Sequence, residues 1–473
     1  MSQLKTINIG FVGLCLASGL TGLENRLYAE IYVPRDYATI QAGIDAVEDG
    51  DRVLVAAGIY DVNEPITFRG KNITLKSEIG PAQTIIRMQN PINPEERASV
   101  FVFENGETND AILEGFTITG GRSYDEGGGI YCQESSPTIR NNIITENGAG
   151  SGGGIACVGG HPLIMSNVIS RNEGFSEAGG IYCMNSQAQI LDNIIKGNSV
   201  RDESGGGIYC GSNSSVIIEG NYIIDNFARE DGAGICLWDA EAIINKNIIF
   251  KNKSDEDGGG IQSTYSVVHI MGNTITGNIS THGGGGIDFY HEPDYPFHEG
   301  FMRAINNIIW NNGNEILDTG PSEILYNLFS QSDFCGQNGN ICADPLLVNP
   351  NPDPNTLDSL IETGDFEGAM KYLTRCFSLQ QESPCIDAGD PANDDADPDS
   401  TVADLGAIYF NQRACNRSDL YHDGFINFSD YARFANNWMR TYPGLEGDIY
   451  IDNKGDEKDL EILTENWLHG CED

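Results

Sequence analysis

The stretch NNIITENGAGSGGGIAC, residues 141–157, contains the pattern that decides the fold. Two asparagines, Asn142 and Asn147, flank a short β-branched segment, and a glycine-rich stretch then leads into another. Seven segments share the first part of this form: RNNIITEN, MSNVISRN, LDNIIKGN, EGNYIIDN, NKNIIFKN, MGNTITGN and INNIIWNN. Their first asparagines are separated by 25, 26, 28, 26, 26 and 34 residues, and they are Asn142, Asn167, Asn193, Asn221, Asn247, Asn273 and Asn307.

A repeat of this length with several short strands predicts a coil that makes one rung per repeat and stacks its strands in parallel. Neighbouring rungs then lie ~4.8 Å apart. Asparagines at equivalent positions would form two rows, in which each side chain hydrogen-bonds to the next. A leucine-rich repeat or a propeller would need a different consensus. The sequence therefore predicts an all-β parallel β-helix over residues 30–345, with an N-terminal helical cap from Ile40 to Val47.

Cysteines recur in the strands that follow the glycine-rich stretches. Alternation of side chains along a strand puts one cysteine per rung on the inner face. This column is Cys132, Cys157, Cys183 and Cys210, continued by Leu237, Ser263 and Phe289. Buried thiols that act as small apolar groups are favoured over disulfides or a metal site. Cys236 is out of register and is expected to face outward.

The segments TIQAGIDAV and GDRVLVAAGIY, at residues 39–47 and 50–60, add a family signature to the NNII and GGGIYC rungs. Together they resemble the pectate-lyase-like family of right-handed β-helix proteins over roughly residues 30–345. The resemblance implies a right-handed coil and an association with polysaccharides. Lyases, hydrolases, epimerases, esterases and adhesins all occur on this fold. Two interpretations therefore stay open: a polysaccharide-degrading hydrolase or lyase, and a non-catalytic surface protein that binds glycan or protein.

The chain is strongly acidic, with 69 Asp and Glu against 27 Lys and Arg and a net charge of -42. This charge disfavours unaided binding to nucleic acid or an anionic membrane. Lys5 precedes an apolar run from Ile7 to Leu20, which predicts a secretory signal over residues 1–29. The alternative is a membrane anchor, although the run is shorter than the ~20 residues of a spanning helix. We expect a secreted or cell-surface protein without a membrane span after cleavage.

Residues 346–414 differ from the repeat, and their motifs ADPLLVNP (from 343), SPCIDAGDP and DLGAIYF resemble the closing segment of exported bacterial β-helix proteins. This segment is expected to pack on the last rungs. Two local disulfides are plausible in an oxidising compartment, Cys335 with Cys342 and Cys376 with Cys385. The acidic run at 393–400 is interpreted as a solvated loop, with a calcium site as the alternative.

Residues 415–473 contain a second repeat, whose halves DLYHDGFINFSDYARFANNWM and DIYIDNKGDEKDLEILTENWL are 29 residues apart. Each half places oxygen ligands at the spacing of a twelve-residue calcium loop and then continues into an amphipathic helix. The predicted Ca²⁺ ligands are Asp419, Asp423, Phe425, Asn427, Asp430, Asp448, Asp452, Lys454, Asp456 and Asp459, with the backbone carbonyls of Phe425 and Lys454. The module resembles a type I dockerin, which implies a cohesin-like partner. It departs from that family at Tyr421 and Tyr450, where a ligand is usual, and an acidic helical hairpin without calcium is the alternative.

The loops between the second asparagine of a repeat and the next glycine-rich stretch carry the candidate catalytic residues. Most of these loops have equal length, so equivalent positions should stack. In that register Glu230, Glu256 and His282 form one column, with Asp231 and Asp257 beside it. Carboxylates one rung apart raise each other's pKa. Such a stripe is typical of an acid/base pair or a cation site, and the alternative is a set of solvated acidic loops.

Two further features border these loops. Arg201 and Arg229 can neutralise the stripe or, as in lyases of this fold, serve as the base. An insertion at 290–303 supplies His291, Tyr295 and His298, and it can wall a sugar groove or form a surface flap.

Overall fold

The computed structural model describes residues 28–92, 98–291, 300–392, 397–398, 401–410, 431, 434–435 and 460. Within these residues the chain forms a right-handed parallel β-solenoid of about 11 turns with few helices. Every long sheet is parallel, and each strand pairs with its equivalent in the next rung. The predicted signal at 1–27 and nearly all of 415–473, including every predicted calcium ligand, lie outside the described residues.

The described strands form three long sheets and one short sheet. Sheet A contains Glu30–Val33, Arg52–Val55, Thr74–Ser77, Ile112–Glu114, Thr138–Arg140, Leu163–Met165, Gln189–Leu191, Ser215–Glu219, Glu241–Asn245, Val267–Met271, Phe301–Ile305 and Ser322–Leu325. Sheet B contains Gly58–Val62, Thr84–Met88, Thr117–Thr119, Ile143–Thr145, Val168–Ser170, Ile194–Lys196, Tyr222–Ile224, Ile248–Phe250, Thr274–Thr276, Ile308–Trp310, Leu328–Phe329 and Ile341–Cys342. Sheet C contains Ile66–Thr67, Phe101–Phe103, Ile130–Gln133, Ile155–Val158, Ile181–Met184, Ile208–Cys210, Ile235–Trp238, Ile261–Thr264, Ile287–Tyr290 and Ile316–Asp318. Sheet D contains Gly148–Ala149, Glu173–Gly174, Ser199–Val200, Phe227–Ala228 and Lys253–Ser254.

The predicted cysteine column is present inside sheet C. Cys132, Cys157, Cys183 and Cys210 pair in register on successive strands, and all four are fully buried free thiols. Leu237, Ser263 and Phe289 continue the column as predicted. Because these side chains fill the interior, they act as apolar packing groups.

Cys236 lies on the opposite face of its strand, between Tyr209 and Gln262. The side chain therefore points outward as predicted, but it is only 2% exposed. A methyl group added to Gly232 would lie 2.5 Å from the Cβ of Cys236, so the preceding loop folds over this thiol.

Both asparagine rows are confirmed, and their members are buried except Asn312, which is half-buried. Each carboxamide oxygen accepts the backbone and side-chain N–H groups of the asparagine one rung earlier, at 2.8–3.2 Å in the first row. The first row continues beyond Asn307 to Asn327 and Asn340, which the repeat pattern missed because these rungs are short. The second row ends at Asn312, whose Nδ2 donates to Glu315 Oε2 at 2.9 Å.

Glu315 is only 6% exposed, and burial raises its pKa to about 7. The folded protein therefore binds a proton at Glu315 more tightly than the unfolded chain does, and this difference stabilises the fold. The stabilisation is complete below the usual pKa of a glutamate and is lost as the pH rises through about 7. Between pH 5 and pH 8 the free energy of unfolding of the wild-type protein should decrease, and Glu315 should contribute about 2–3 kcal/mol of that decrease. We expect Glu315→Gln to lose this contribution, so that its free energy of unfolding changes less with pH. Denaturant unfolding at the two pH values measures this. The control Glu323→Gln removes an exposed carboxylate and should keep the decrease; an unchanged decrease in Glu315→Gln would contradict the assignment.

The predicted N-terminal cap is present as the helix Ile40–Ala46. Thr39 caps it by accepting the N–H of Ala42 at 3.2 Å. Ile40 and Ile44 are buried against the first rung, so the helix closes the end of the core. Among the described residues no helix is both long and apolar enough to cross a bilayer.

The closing segment contains the helices Pro354–Glu362 and Phe366–Cys376. It contacts the last rungs, as predicted, where Gly406 donates its N–H to the carbonyl of Asn306 at 2.9 Å. It also extends back along the outer face of sheet B, where Phe377 packs on Phe250 with ring centroids 5.2 Å apart. This longer course has a physical reason: the residue after each asparagine of the first row faces outward on sheet B, and nearly all of these residues are apolar and need cover.

The two predicted disulfides have different outcomes. Cys335 and Cys342 are bonded. Cys376 and Cys385 are free, so that predicted pair is wrong. Both thiols lie buried in the apolar cluster under the closing segment, and Cys376 Sγ accepts from Asn349 Nδ2 at 3.8 Å. Packing therefore explains these two cysteines.

Candidate functional site

The acidic loops stack as the sequence register predicts. The carbonyl of Glu203 accepts the N–H of Glu230 at 3.0 Å, the carbonyl of Glu230 accepts the N–H of Glu256 at 3.3 Å, and the carbonyl of Glu256 accepts the N–H of His282 at 3.1 Å. Glu230, Glu256 and His282 therefore lie on successive rungs. Their side chains are exposed to solvent.

Asp231 and Asp257 form a second column, closer to sheet C. The Oδ1 atom of Asp231 accepts the backbone N–H of Asp257 at 3.1 Å, and the N–H of Asp231 donates to Ser204 Oγ at 3.1 Å. Both aspartates are half-buried. Their backbones are thus fixed one rung apart at the edge of the outer face of sheet C.

Gly283 occupies the next position of this column. A methyl group there would lie 2.6 Å from Asp257 Oδ1 and would also collide with Asp288 Oδ2. The carboxylates of Asp257 and Asp288 therefore approach the same point, which only a glycine leaves free. Asp288 accepts the N–H of Gly284 at 2.8 Å and is 3% exposed.

Burial raises the pKa values of Asp231 and Asp288. It raises the pKa of Asp288 to about 6, with a smaller contribution from the negative charge of Asp257. It also raises the pKa of Asp231 to about 6, where repulsion by Asp257, Glu256 and Glu230 acts in the same direction. A carboxyl group with a pKa near 6 can donate or accept a proton close to neutral pH. The cluster of Asp231, Asp257 and Asp288, hereafter the aspartate cluster, is therefore suited to proton transfer.

The sequence did not single out Asp288, which lies in the strand Ile287–Tyr290 and faces outward. On equivalent strands its position is occupied by Cys236 and Gln262. The available signal was the carboxylate in GGGIDF, where other repeats have Tyr, Ala, Cys or Gln.

An aromatic strip lies on the same face of the solenoid, two residues along the strand from Asp288. Trp238 and Tyr290 share one strand position on either side of Thr264. The ring of Tyr265 lies 5.9 Å from that of Trp238 and 6.1 Å from that of Tyr290, between centroids. Trp238 is 47% exposed and Tyr290 is 42% exposed. We define the aromatic strip as Trp238, Tyr265 and Tyr290.

The insertion after this strand is only partly described. His291 packs against Tyr265, with centroids 6.3 Å apart. Tyr295 and His298, two of the three candidate groove residues, lie outside the described residues.

The two candidate arginines have different surroundings. Arg201 forms an ion pair with Glu173, and its guanidinium lies 4.8 Å from the ring centroid of Phe175. Glu173 and Phe175 therefore hold this side chain beside sheet D. Arg229 is exposed at the rim of the loop.

Among the described residues, no group of three or more His, Cys, Asp or Glu side chains is arranged to hold a metal ion. The calcium ligands predicted at 419–459 lie outside these residues, so calcium binding stays a prediction.

Fold and site together define a right-handed β-helix protein with an acidic cluster on one outer face. Residues 92–244 match the family model "Right handed beta helix region". A search of curated proteins found no match.

Several solved structures are similar to the chain. Pectate lyase Pel9A is 14% identical, with a TM-score of 0.46 over 82% of this chain and 98% of that one. The complex of XylC with xylose is 12% identical, with a TM-score of 0.46 over 68% and 87%. The Azotobacter vinelandii mannuronan C-5 epimerase AlgE6 A-module is 15% identical, with a TM-score of 0.33 over 65% and 94%.

Proposed function

We propose that the protein is a polysaccharide-degrading glycoside hydrolase whose active site is the aspartate cluster. The observation that carries the proposal is the convergence of Asp257 and Asp288 at Gly283, beside Asp231, whose pKa is raised to about 6. Glycoside hydrolysis needs one protonated and one ionised carboxyl group on either side of the scissile bond. The two states can coexist here because the three groups differ in burial and repel one another.

Each aspartate has a distinct role in this proposal. Asp231 is the general acid that protonates the leaving oxygen and later activates water. Asp257 is the nucleophile, since it lies one rung away and carboxyl groups about 5 Å apart suit a retaining mechanism. Asp288 is a positioning residue, because it is almost fully buried below Asp257 and its charge state sets the local field.

The position of Arg201 favours hydrolysis over elimination. The lyase alternative named Arg201 or Arg229 as the base, and the guanidinium of Arg201 is occupied by Glu173 and Phe175. Hydrolysis needs one carboxyl group that acts first as acid and then as base and a second that acts as nucleophile, so it does not require an arginine base.

The pH dependence of cleavage tests the proposal. Because Asp231 must be protonated, we expect kcat/KM to fall as the pH rises above about 6. It should fall again in stronger acid, since a protonated carboxyl group is a poor nucleophile. The assay measures reducing ends released from a panel of soluble plant and algal polysaccharides across the pH range. Binding without cleavage of any member would favour the non-catalytic alternative.

We further propose that the protein is secreted and attached through residues 415–473, which bind Ca²⁺ and engage a cohesin-like partner. Sequence supports this proposal: two loops with oxygen ligands at calcium spacing, each followed by an amphipathic helix. The apolar run before residue 29 supports export.

Removal of calcium gives a direct test of the C-terminal module. We expect titration calorimetry on the full chain to detect Ca²⁺ binding, and chelation to lower the thermal stability of this module. The double variant Asp419→Ala, Asp448→Ala removes the first ligand of each loop and should abolish the binding heat. The matched control Asp110→Ala removes an exposed aspartate of the solenoid and should leave it unchanged. Equal binding heats for both variants would refute the calcium sites.

A further inference from the structure

We infer that the aromatic strip is the sugar-binding subsite beside the aspartate cluster and that it selects a neutral polysaccharide over a polyuronate. This inference rests on the proposed function, because it assigns a substrate class to the same face. Its first support is exposure: Trp238 is 47% exposed and Tyr290 is 42% exposed, so both rings are open to a ligand. Exposed aromatic faces suit the apolar C–H faces of pyranose rings, because both surfaces are desolvated on contact.

Register supplies the second support. Trp238 and Tyr290 stand at the same strand position two rungs apart, and the ring of Tyr265 lies between them at centroid distances of 5.9 and 6.1 Å. Two rungs span ~9.6 Å. The exposed faces therefore follow one another along the solenoid axis, so a sugar chain that contacts both must run parallel to this axis.

Charge supplies the third support and decides the substrate class. Asp288 lies in the same strand as Tyr290, and Asp257 converges on it. The nearest loop residues, Glu230 and Glu256, add two more exposed carboxylates to this edge. A polyuronate carries one carboxylate per sugar and would meet uncompensated repulsion beside the strip. A neutral chain is free of that repulsion and can use its hydroxyls as donors to the carboxylates.

The subsite also places substrate relative to the chemistry. Tyr290 is two residues beyond Asp288 on one strand, so their side chains lie on the same face about 7 Å apart along the strand. A chain stacked on the strip thus passes alongside the aspartate cluster, which is the arrangement that cleavage within a chain requires.

Binding measurements on a protein variant that does not cleave its substrate test the inference. Affinity electrophoresis or calorimetry is carried out on full-length Asp257→Asn, with soluble xylan, mannan and mixed-linkage glucan as neutral probes and polygalacturonate and alginate as anionic probes. We expect binding to at least one neutral probe and weaker binding to both anionic probes. Adding Trp238→Ala should weaken neutral binding about tenfold or more. Adding Trp238→Phe should recover part of this loss, and adding Tyr37→Ala, an exposed tyrosine near the first rung, should leave binding unchanged.

The outcomes separate this inference from the proposed function. Tighter binding of an anionic probe, binding that Trp238→Ala leaves intact in a folded protein, or no binding to any neutral probe would each overturn the inference. Neutral binding that depends on Trp238, without cleavage by the wild-type chain, would support the subsite and overturn the hydrolase proposal.

Discussion

Asp257→Asn is expected to lower kcat on the cleaved polysaccharide by roughly 10³-fold or more. The amide has nearly the same shape as the carboxylate, but it is neither a nucleophile nor a base. Asp257 contributes one of the two oxygens that converge at Gly283, so its replacement removes charge at the centre of the aspartate cluster. Initial rates at saturating substrate, with KM measured separately, test this expectation.

The same substitution should leave the fold intact. The negative charge of Asp257 raises the pKa of both Asp231 and Asp288, so its removal relieves repulsion and should maintain or slightly increase thermal stability. The control Asp255→Asn alters a carboxylate two residues away that lies 3.5 Å from Lys253 Nζ. It should retain wild-type kcat. Wild-type kcat in folded Asp257→Asn would exclude this residue as the nucleophile.

Asn221→Ala is expected to reduce the free energy of unfolding by about 3–5 kcal/mol. The Nδ2 atom of Asn221 donates to the carbonyl of Ile190 at 2.7 Å and to Asn247 Oδ1 at 3.0 Å. Its Oδ1 atom accepts from the N–H and Nδ2 of Asn193 at 2.9 and 3.0 Å. Alanine removes these four hydrogen bonds, and water cannot replace them because Asn221 is fully buried. Asn193 Nδ2 keeps its bond to the carbonyl of Ile164, and Asn247 Oδ1 keeps its bond to the backbone N–H at position 221. Denaturant unfolding measures the difference.

A matched control distinguishes the contribution of the asparagine row from that of a carboxamide group as such. Gln189 carries a carboxamide on the outer face of sheet A, where it is exposed. Gln189→Ala should change the free energy of unfolding by less than about 0.5 kcal/mol. Comparable losses in the two variants would mean that the asparagine rows are not a main source of stability.

The solenoid could be predicted because its repeat length is visible in the spacing of the asparagines. A residue repeated about every 26 positions must stack when each repeat makes one rung, and the Asn142 and Asn147 rows follow. Equal loop lengths likewise carried the placement of Glu230, Glu256 and His282, since a fixed length preserves register.

The other features of the fold and the site could not be predicted, because they depend on contacts between residues that do not recur at a regular spacing in the sequence. Asp288 became part of the cluster because Gly283 leaves space above it, and one glycine among 57 gives no signal of that role. The course of the closing segment depends on an apolar column distributed over many rungs of sheet B. Cys376 and Cys385 are close in sequence, but apolar packing buries them as separate thiols.

The stereochemistry of the first product distinguishes the proposed roles of Asp231 and Asp257 from their alternatives. Proton NMR during early cleavage reports the anomeric configuration of the new reducing end before it equilibrates. An Asp231 and Asp257 pair one rung apart predicts retention of configuration. Inversion, or an unsaturated sugar formed by elimination, would contradict the account.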